Sequence, residues 1–164
     1  RAAERTFQLL AQVAGRAGRG ERKGIVLVQT YQADHPAIRA AAAHSFDDFV
    51  TSEVASREEL GYPPFGRLVA VRIDAADERL AQRTAAMLAE VASTRSNVLR
   101  GVVDVLGPAP APIGKLRGRH RFRILLKCKS RGPLRDVALT VLARIDEGLG
   151  AARASLDVDP VSML

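Results

Sequence analysis

Residues 119–129 alternate between apolar and basic side chains, and this alternation limits the possible folds more than any other feature of the chain. The apolar phase consists of Phe122, Ile124, Leu126 and Cys128. The basic phase consists of Arg119, Arg121, Arg123, Lys127 and Lys129, interrupted by Leu125. Because successive side chains of a strand point to opposite faces, the stretch predicts a strand with one face in a core and a row of cations on the other.

The segments around this strand predict a small α+β domain over residues 66–164. Apolar spacing predicts a strand at 67–74, a helix at 77–93 and a strand at 102–106. A Pro-rich and then basic loop is expected at 107–118, before the alternating strand. An amphipathic helix at 133–149 and a short strand at 156–159 complete the domain. The order β-α-β-β-α-β is that of the ferredoxin-like fold.

The first part of the chain has a different pattern. Residues 3–14 have helical spacing, and Gly15 is expected to end that helix. Residues 25–28 are a continuous apolar run, typical of a strand buried on both faces of a parallel sheet. A helix is predicted at 36–60, broken near Ser45, and residues 61–65 read as a hinge. We therefore expect an α/β remnant over 1–43 and a helical connector over 44–65.

The positive charge is confined to the second part of the chain. Residues 1–65 hold eight Lys/Arg and eight Asp/Glu, whereas residues 66–164 hold seventeen and ten, which accounts for the whole net charge of +7. Between 113 and 131 there are eight Lys/Arg and no acid. Such a basic region indicates a polyanionic partner. The chain has no apolar run of membrane-spanning length, and its single cysteine excludes an internal disulfide or a cysteine-rich zinc site.

The basic strand and its flanks have two interpretations. Crowded cations cost stability unless an anion or neighbouring acids compensate them, and the alternative is a solvated face. The ordered alternation favours a DNA-binding surface, extended by Arg131 beyond the strand. The residues expected to bind DNA are Lys115, Arg117, Arg119, Arg121, Arg123, Lys127 and Lys129.

A second motif lies near the start of the chain and reads Q-x-x-G-R-x-G-R over residues 12–19. Arg16 and Arg19 each follow a glycine, and an arginine fork can hold two phosphate oxygens. The string predicts a phosphate-facing elbow at the end of a helix, since glycine permits a tight turn. The alternatives are a Gly/Arg loop that binds nucleic acid nonspecifically and a helix end with two solvated arginines.

This string resembles motif VI of superfamily 2 helicases, which lies on the second RecA-like lobe and faces bound ATP. Further strings narrow the resemblance: GYPPF at 61–65, LGPAPAP at 106–112, KLRGR at 115–119 and LDVDP at 156–160. Together they resemble the C-terminal part of the primosomal replication-restart DNA helicases. The resemblance covers nearly the whole chain.

The resemblance implies an ATP-dependent 3′-to-5′ DNA helicase that recognises stalled forks and restarts replication. Arg16 and Arg19 would then be catalytic, and Gln12, Gly15 and Gly18 would contact ATP. The C-terminal domain would bind DNA and resemble ribosomal protein S10. The expected cofactors are ATP and Mg²⁺, with Zn²⁺ in an upstream cysteine-rich segment and no metal in this stretch.

The implied partners are single-stranded and forked DNA, single-stranded-DNA-binding protein and other primosome proteins. A cytoplasmic monomer without membrane association is expected. The chain starts without Met inside a helical pattern, so we read it as part of a longer protein and expect no ATPase activity from this stretch alone.

Two other functions fit the order of elements. An RNA-binding module of the RRM type has the same β-α-β-β-α-β order, but it stacks bases on aromatic side chains of its central strands. Aromatic residues make up only 4% of this chain. A non-enzymatic interaction domain is the second alternative for residues 66–164.

Overall fold

The computed structural model describes residues 2–17 and 24–160. The chain divides into two compact units, Arg1–Leu60 and Gly61–Leu164. The division falls at the start of the GYPPF string, where two consecutive prolines disfavour continuation of the preceding helix. None of the helices in the described part of the chain is long and apolar enough to cross a membrane.

The first unit contains three helices: α1 (Ala2–Ala17), α2 (Pro36–Ala42) and α3 (Phe46–Glu59). The break predicted near Ser45 is confirmed, because Ser45 caps α3 by accepting a hydrogen bond from the Asp48 N–H at 3.2 Å. The rings of Phe7 and Phe49 stack with centroids 4.4 Å apart and join α1 to α3. This contact forms the centre of a small core.

One arginine strengthens the same helix pair. Arg57 on α3 bonds Glu53 at 2.7 Å and Glu4 of α1 at 3.1 Å. Burial lowers the pKa of Arg57, but the hydrogen bonds and charges of the two glutamates outweigh it and raise that pKa above its ordinary value. The guanidinium therefore stays charged and links α1 to α3.

Two predictions for the first unit are wrong. Gly15 does not end its helix, because α1 continues to Ala17 and the helical hydrogen bonds outweigh the low propensity of one glycine. Residues 25–28 form no strand, and Ile25 and Leu27 are each 93% exposed. A strand needs a neighbour for its backbone groups, and the described residues of this unit supply none.

The second unit is a four-stranded antiparallel sheet with helices on one side. Its strands are β1 (Arg67–Ala75), β2 (Asp104–Leu116), β3 (Arg119–Cys128) and β4 (Arg153–Val158), in the spatial order β2-β3-β1-β4. Its helices are α4 (Glu78–Ser93), the short α5 (Ser96–Leu99) and α6 (Arg131–Asp146). The predicted α+β class is therefore confirmed, and the central strands are β3 and β1.

The core lies between this sheet and helices α4 and α6. Val71, Leu88, Leu126 and Val137 are all fully buried and come from β1, α4, β3 and α6 in turn. The apolar phase of β3 faces this core, as its alternation predicts. Cys128 is a buried member of the same cluster and accepts a hydrogen bond from the Ser130 N–H at 3.3 Å.

The predicted loop at 107–118 is wrong, because most of it belongs to β2. Three prolines alternate along this strand, and they are tolerated because β2 lies at the edge of the sheet, where alternate N–H groups need no partner. The pairing with β3 is irregular between Leu106 and Ala109 and again between Pro110 and Lys115. The turn consists of Arg117 and Gly118 alone, at φ 49° and 76°, as a type I′ hairpin requires.

Replacing Gly107 with alanine is expected to destabilise the second unit by at least about 1 kcal/mol. Gly107 has φ 101°, and an added Cβ would lie 2.9 Å from the Arg123 carbonyl oxygen on β3. Gly114→Ala on the same strand is the control, since its Cβ would meet nothing closer than 3.8 Å. Urea unfolding of both variants measures the difference, and equal stabilities would contradict this account of the β2–β3 contact.

Candidate nucleic-acid interface

Strand β3 presents its basic phase on the face of the sheet opposite α4 and α6. Directly opposed residues of an antiparallel pair lie on the same face. Arg123 is opposite Arg72 of β1, and Arg121 is opposite Asp74. On β4, Arg153 is opposite Asp74 from the other side. The open face is therefore a mixture of arginines and acids rather than a row of cations alone.

Two of the predicted DNA-binding residues already have acidic partners. Arg119 donates from Nε to Asp74 Oδ2 and from Nη2 to the Asp74 carbonyl at 3.1 Å. Lys127 lies 3.4 Å from a carboxylate oxygen of Asp104 on β2. A third pair on this face joins Arg72 to Asp157 at 2.6 Å. These acids offset part of the repulsion that the sequence pattern implies.

The remaining predicted cations differ in their position along β3. Lys115 and Arg117 are exposed at the β2–β3 hairpin, and Lys129 is exposed just beyond the opposite end of β3. Within residues 2–17 and 24–160, these three and Arg121 have no acidic partner. The strand separates the two groups by about 30 Å, since it rises about 3.3 Å per residue.

The structure places Lys115 away from the row. It is opposite His120, which belongs to the core-facing phase and lies 3.6 Å from Glu78 of α4. Only Arg119, Arg121, Arg123 and Lys127 of the predicted set occupy the open face of β3 itself. Arg153 of β4 also lies on this face. It is not among the residues predicted to bind DNA, because no charge pattern on its short strand marks it.

The apolar end of the open face is partly covered. Leu68, Ala70 and Leu125 form a small cluster against which Tyr62 packs. This contact explains why Leu125 interrupts the basic phase: its side chain has an aromatic partner on that face. Arg119, Arg121 and Arg123 therefore lie on the Asp74 side of this cluster, and Lys127 lies on its other side.

The other candidate site lies on α1. Gln12 and Arg16 are exposed and four residues apart, so they share one side of the helix. Gly15 lies between them, and an added Cβ there would contact nothing within 4 Å. Gly18 and Arg19 lie outside the described residues. The structure thus brings Gln12 and Arg16 together and leaves the second half of the motif untested.

No group of three or more His, Cys, Asp or Glu side chains is arranged to hold a metal ion in the described part of the chain. Asp159 has a structural role instead. Its Oδ1 accepts the Leu68 N–H at 3.2 Å, and its Oδ2 lies 3.3 Å from Arg67.

Comparisons with known proteins agree with one another. Residues 58–161 match the family model described as the primosomal protein N C-terminal domain. The chain is 38% identical over 164 residues to the replication restart protein PriA of Synechocystis, covering 99% of this chain and 19% of that protein. It is 32% identical to the protein of the same name from Bacillus subtilis, covering 100% of this chain and 20% of the relative.

A third relative of the same name, from Treponema pallidum, is 39% identical over 164 residues, covering 100% of this chain and 24% of that protein. The chain therefore spans about a fifth of the length of these relatives. The similarity extends across both compact units.

Proposed function

We propose a function from one established premise: the chain belongs to the family of the primosomal protein N C-terminal domain. In this proposal it is the C-terminal part of an ATP-dependent 3′-to-5′ DNA helicase that restarts replication at stalled forks. The observation that carries the proposal is the identity of 32–39%, sustained over the whole chain, to relatives named replication restart protein PriA. The longer protein would be the enzyme, and this stretch would supply two of its parts.

The first part is the end of a RecA-like helicase lobe, proposed for residues 1–43, with 44–65 as its connector. Support comes from the Q-x-x-G-R-x-G-R string and from the exposed apolar side chains at 25–28. In the longer protein this run would become a buried strand, because the remaining strands of the lobe would bond its backbone and cover its side chains.

The second part is a DNA-binding domain, proposed for residues 66–164, with a ferredoxin-like fold resembling ribosomal protein S10. The antiparallel order β2-β3-β1-β4 supports this fold. The exposed cations at the hairpin and beyond β3 support binding to a phosphate backbone. Lysine and arginine without interleaved aromatics favour phosphate contacts over base contacts, so the binding should be largely independent of sequence.

In this proposal, ATP hydrolysis requires residues from both RecA-like lobes of the longer protein. When bound, ATP would supply the free energy for unwinding through its hydrolysis, and Mg²⁺ would offset negative charge on its phosphates. Arg16 and Arg19 would stabilise negative charge on the γ-phosphate, and Gln12, Gly15 and Gly18 would line the same contact. The exposure of Gln12 and Arg16 on one side of α1 fits such a contact from outside the nucleotide-binding lobe. Mg²⁺ and the family's Zn²⁺ would be held elsewhere in the longer protein.

The proposed partners are single-stranded and forked DNA, single-stranded-DNA-binding protein and other primosome proteins. A surface that is basic and partly apolar suits an acidic protein tail with an apolar end. In this proposal the longer protein acts in the cytoplasm as a monomer.

An RRM-like RNA-binding module is less well supported. Phe122 is the one aromatic residue of the four described strands, and it faces the core. Tyr62 reaches the open face, but it packs on Leu68, Ala70 and Leu125. Bases therefore have no pair of strand aromatics on which to stack. A protein-interaction domain without nucleic-acid binding remains the outcome if the following test fails.

The 164-residue chain is expected to bind a labelled 20-nucleotide oligo(dT), with an affinity that falls steeply with salt. If four cations engage, the log–log salt slope should be about −3 on single strands. Replacing Lys115, Arg117 and Lys129 with alanine should weaken binding at least about tenfold and flatten the slope by about two units. Fluorescence anisotropy at several salt concentrations measures both quantities.

Arg83→Ala is the control, because Arg83 is exposed on α4 and belongs neither to the hairpin nor to the end of β3. A parallel titration with oligo(rU) tests the RNA-binding alternative. Preference for RNA, or equal binding by the triple variant and its parent, would overturn the proposed DNA interface.

A further inference from the structure

The open face of the sheet contains a compact arginine cluster around Asp74. Arg121 on β3 and Arg153 on β4 are directly opposite Asp74 from its two sides, so all three side chains leave the same face. Arg119, two residues before Arg121 on β3, donates hydrogen bonds to the side-chain carboxylate and the main-chain carbonyl of Asp74. Three arginines therefore surround one acid, which gives the cluster a formal charge of +2.

Of the three arginines, Arg119 is the one that is paired with the acid. Arg119 occupies Asp74 and neutralises it, although Arg121 and Arg153 are the residues directly opposite that carboxylate. Across the described ranges, the side chains of Arg121 and Arg153 have no hydrogen-bond or acidic partner. Two guanidiniums thus flank a neutralised carboxylate, one strand to either side of it.

The spacing of the two free arginines suits an anion between them. Each is one strand from β1, so their backbones are about 10 Å apart across the sheet. Guanidinium groups on long flexible side chains can converge over that distance on the oxygens of a single phosphate, which accepts paired N–H donors well. Such an anion would also relieve the repulsion between Arg121 and Arg153, since the neutralised Asp74 cannot do so.

We infer that Arg121 and Arg153 together hold one phosphate group of bound single-stranded DNA across Asp74, with Arg119 as the positioning residue that neutralises Asp74. The inference rests on the proposed DNA-binding function and adds β4 to the interface.

The test is a double-mutant cycle in the 164-residue chain with labelled 20-nucleotide oligo(dT). Arg121→Ala and Arg153→Ala should each weaken binding about fivefold at 50 mM salt, because each removes one arginine of the shared clamp, the pair of arginines that holds the phosphate. The double variant should bind only slightly more weakly than either single variant, because the two arginines share a ligand. Its salt slope should flatten by about 0.7, the value for one phosphate on a single strand.

Arg83→Ala on α4 is the control for the loss of one exposed charge, and circular dichroism verifies that every variant is folded. Losses that multiply in the double variant, with a slope flattened by about 1.4, would mean two separate phosphates and would overturn the shared clamp. An unchanged affinity of Arg153→Ala also overturns it. If that result accompanies weakened binding by the Lys115, Arg117 and Lys129 triple variant, the proposed function stands without the clamp. Absence of oligo(dT) binding by the parent would overturn both.

Discussion

Leu126→Ala is expected to destabilise the second unit by about 2–5 kcal/mol, which is a large fraction of the about 5–15 kcal/mol by which native proteins are stable. Leu126 is fully buried on β3 and packs in the core between the sheet and helices α4 and α6. Truncation loses the free energy gained by moving the leucine side chain from water into the core. It also leaves a cavity that the surrounding side chains cannot fill, because the central strands are rigid. Urea unfolding followed by far-UV circular dichroism measures the loss, and hydrogen exchange assigns it to the second unit.

Leu116→Ala is the matched control for this prediction. Leu116 is also a strand leucine of the second unit, but it is 47% exposed at the β2–β3 hairpin. Its truncation should change stability by about 0.5 kcal/mol or less. If Leu126→Ala were as mild as Leu116→Ala, the core-facing phase of β3 would be misassigned.

Arg19→Ala in a full-length protein carrying this sequence should lower DNA-stimulated ATP turnover at least about tenfold, since arginines at phosphoryl transition states contribute roughly 10³–10⁵ in rate. Arg16→Ala should have an effect in the same direction. The affinity for ATP should change less, because the contact strengthens as charge develops on the γ-phosphate. Steady-state ATPase assays with saturating DNA, together with nucleotide-binding titrations, separate these quantities. The 164-residue chain alone should show no ATP turnover.

Arg5→Ala provides the comparison for Arg16, because Arg5 is exposed on the same helix but lies outside the motif. It should leave turnover unchanged. Unaltered turnover in both Arg16→Ala and Arg19→Ala would remove the catalytic role proposed for the Q-x-x-G-R-x-G-R string. Arg16 would then be a solvated side chain near the end of α1.

The basic face illustrates how an antiparallel sheet accommodates crowded cations. The sequence between 113 and 131 contains no acid, yet Asp74, Asp104 and Asp157 reach the face from three other strands. Each of these ion pairs is at least partly exposed, so each contributes little to stability. Their larger effect is on function, because they determine which cations are available to an external phosphate.

Local sequence patterns predict correctly the order of strands and long helices in the second unit and the buried side of β3. Period-two alternation in β3 placed Phe122, Ile124 and Leu126 in the core, and helical periodicity located α4 and α6 within a few residues of their ends. Local patterns succeed here because each element has one buried face. The side chains along the element must therefore repeat with the period of its backbone.

Features that depend on a neighbouring strand follow only from the tertiary contacts. Residues 107–116 became part of β2 despite their prolines, because the edge of the sheet tolerates missing N–H donors. Residues 25–28 have the pattern of a buried strand but no partner in the described chain, so they form none. The register also decided that Arg119 is paired with Asp74, whereas Arg121 and Arg153 remain available across it. These outcomes follow from contacts between residues far apart in sequence, and the pattern of a single segment contains no information about such contacts.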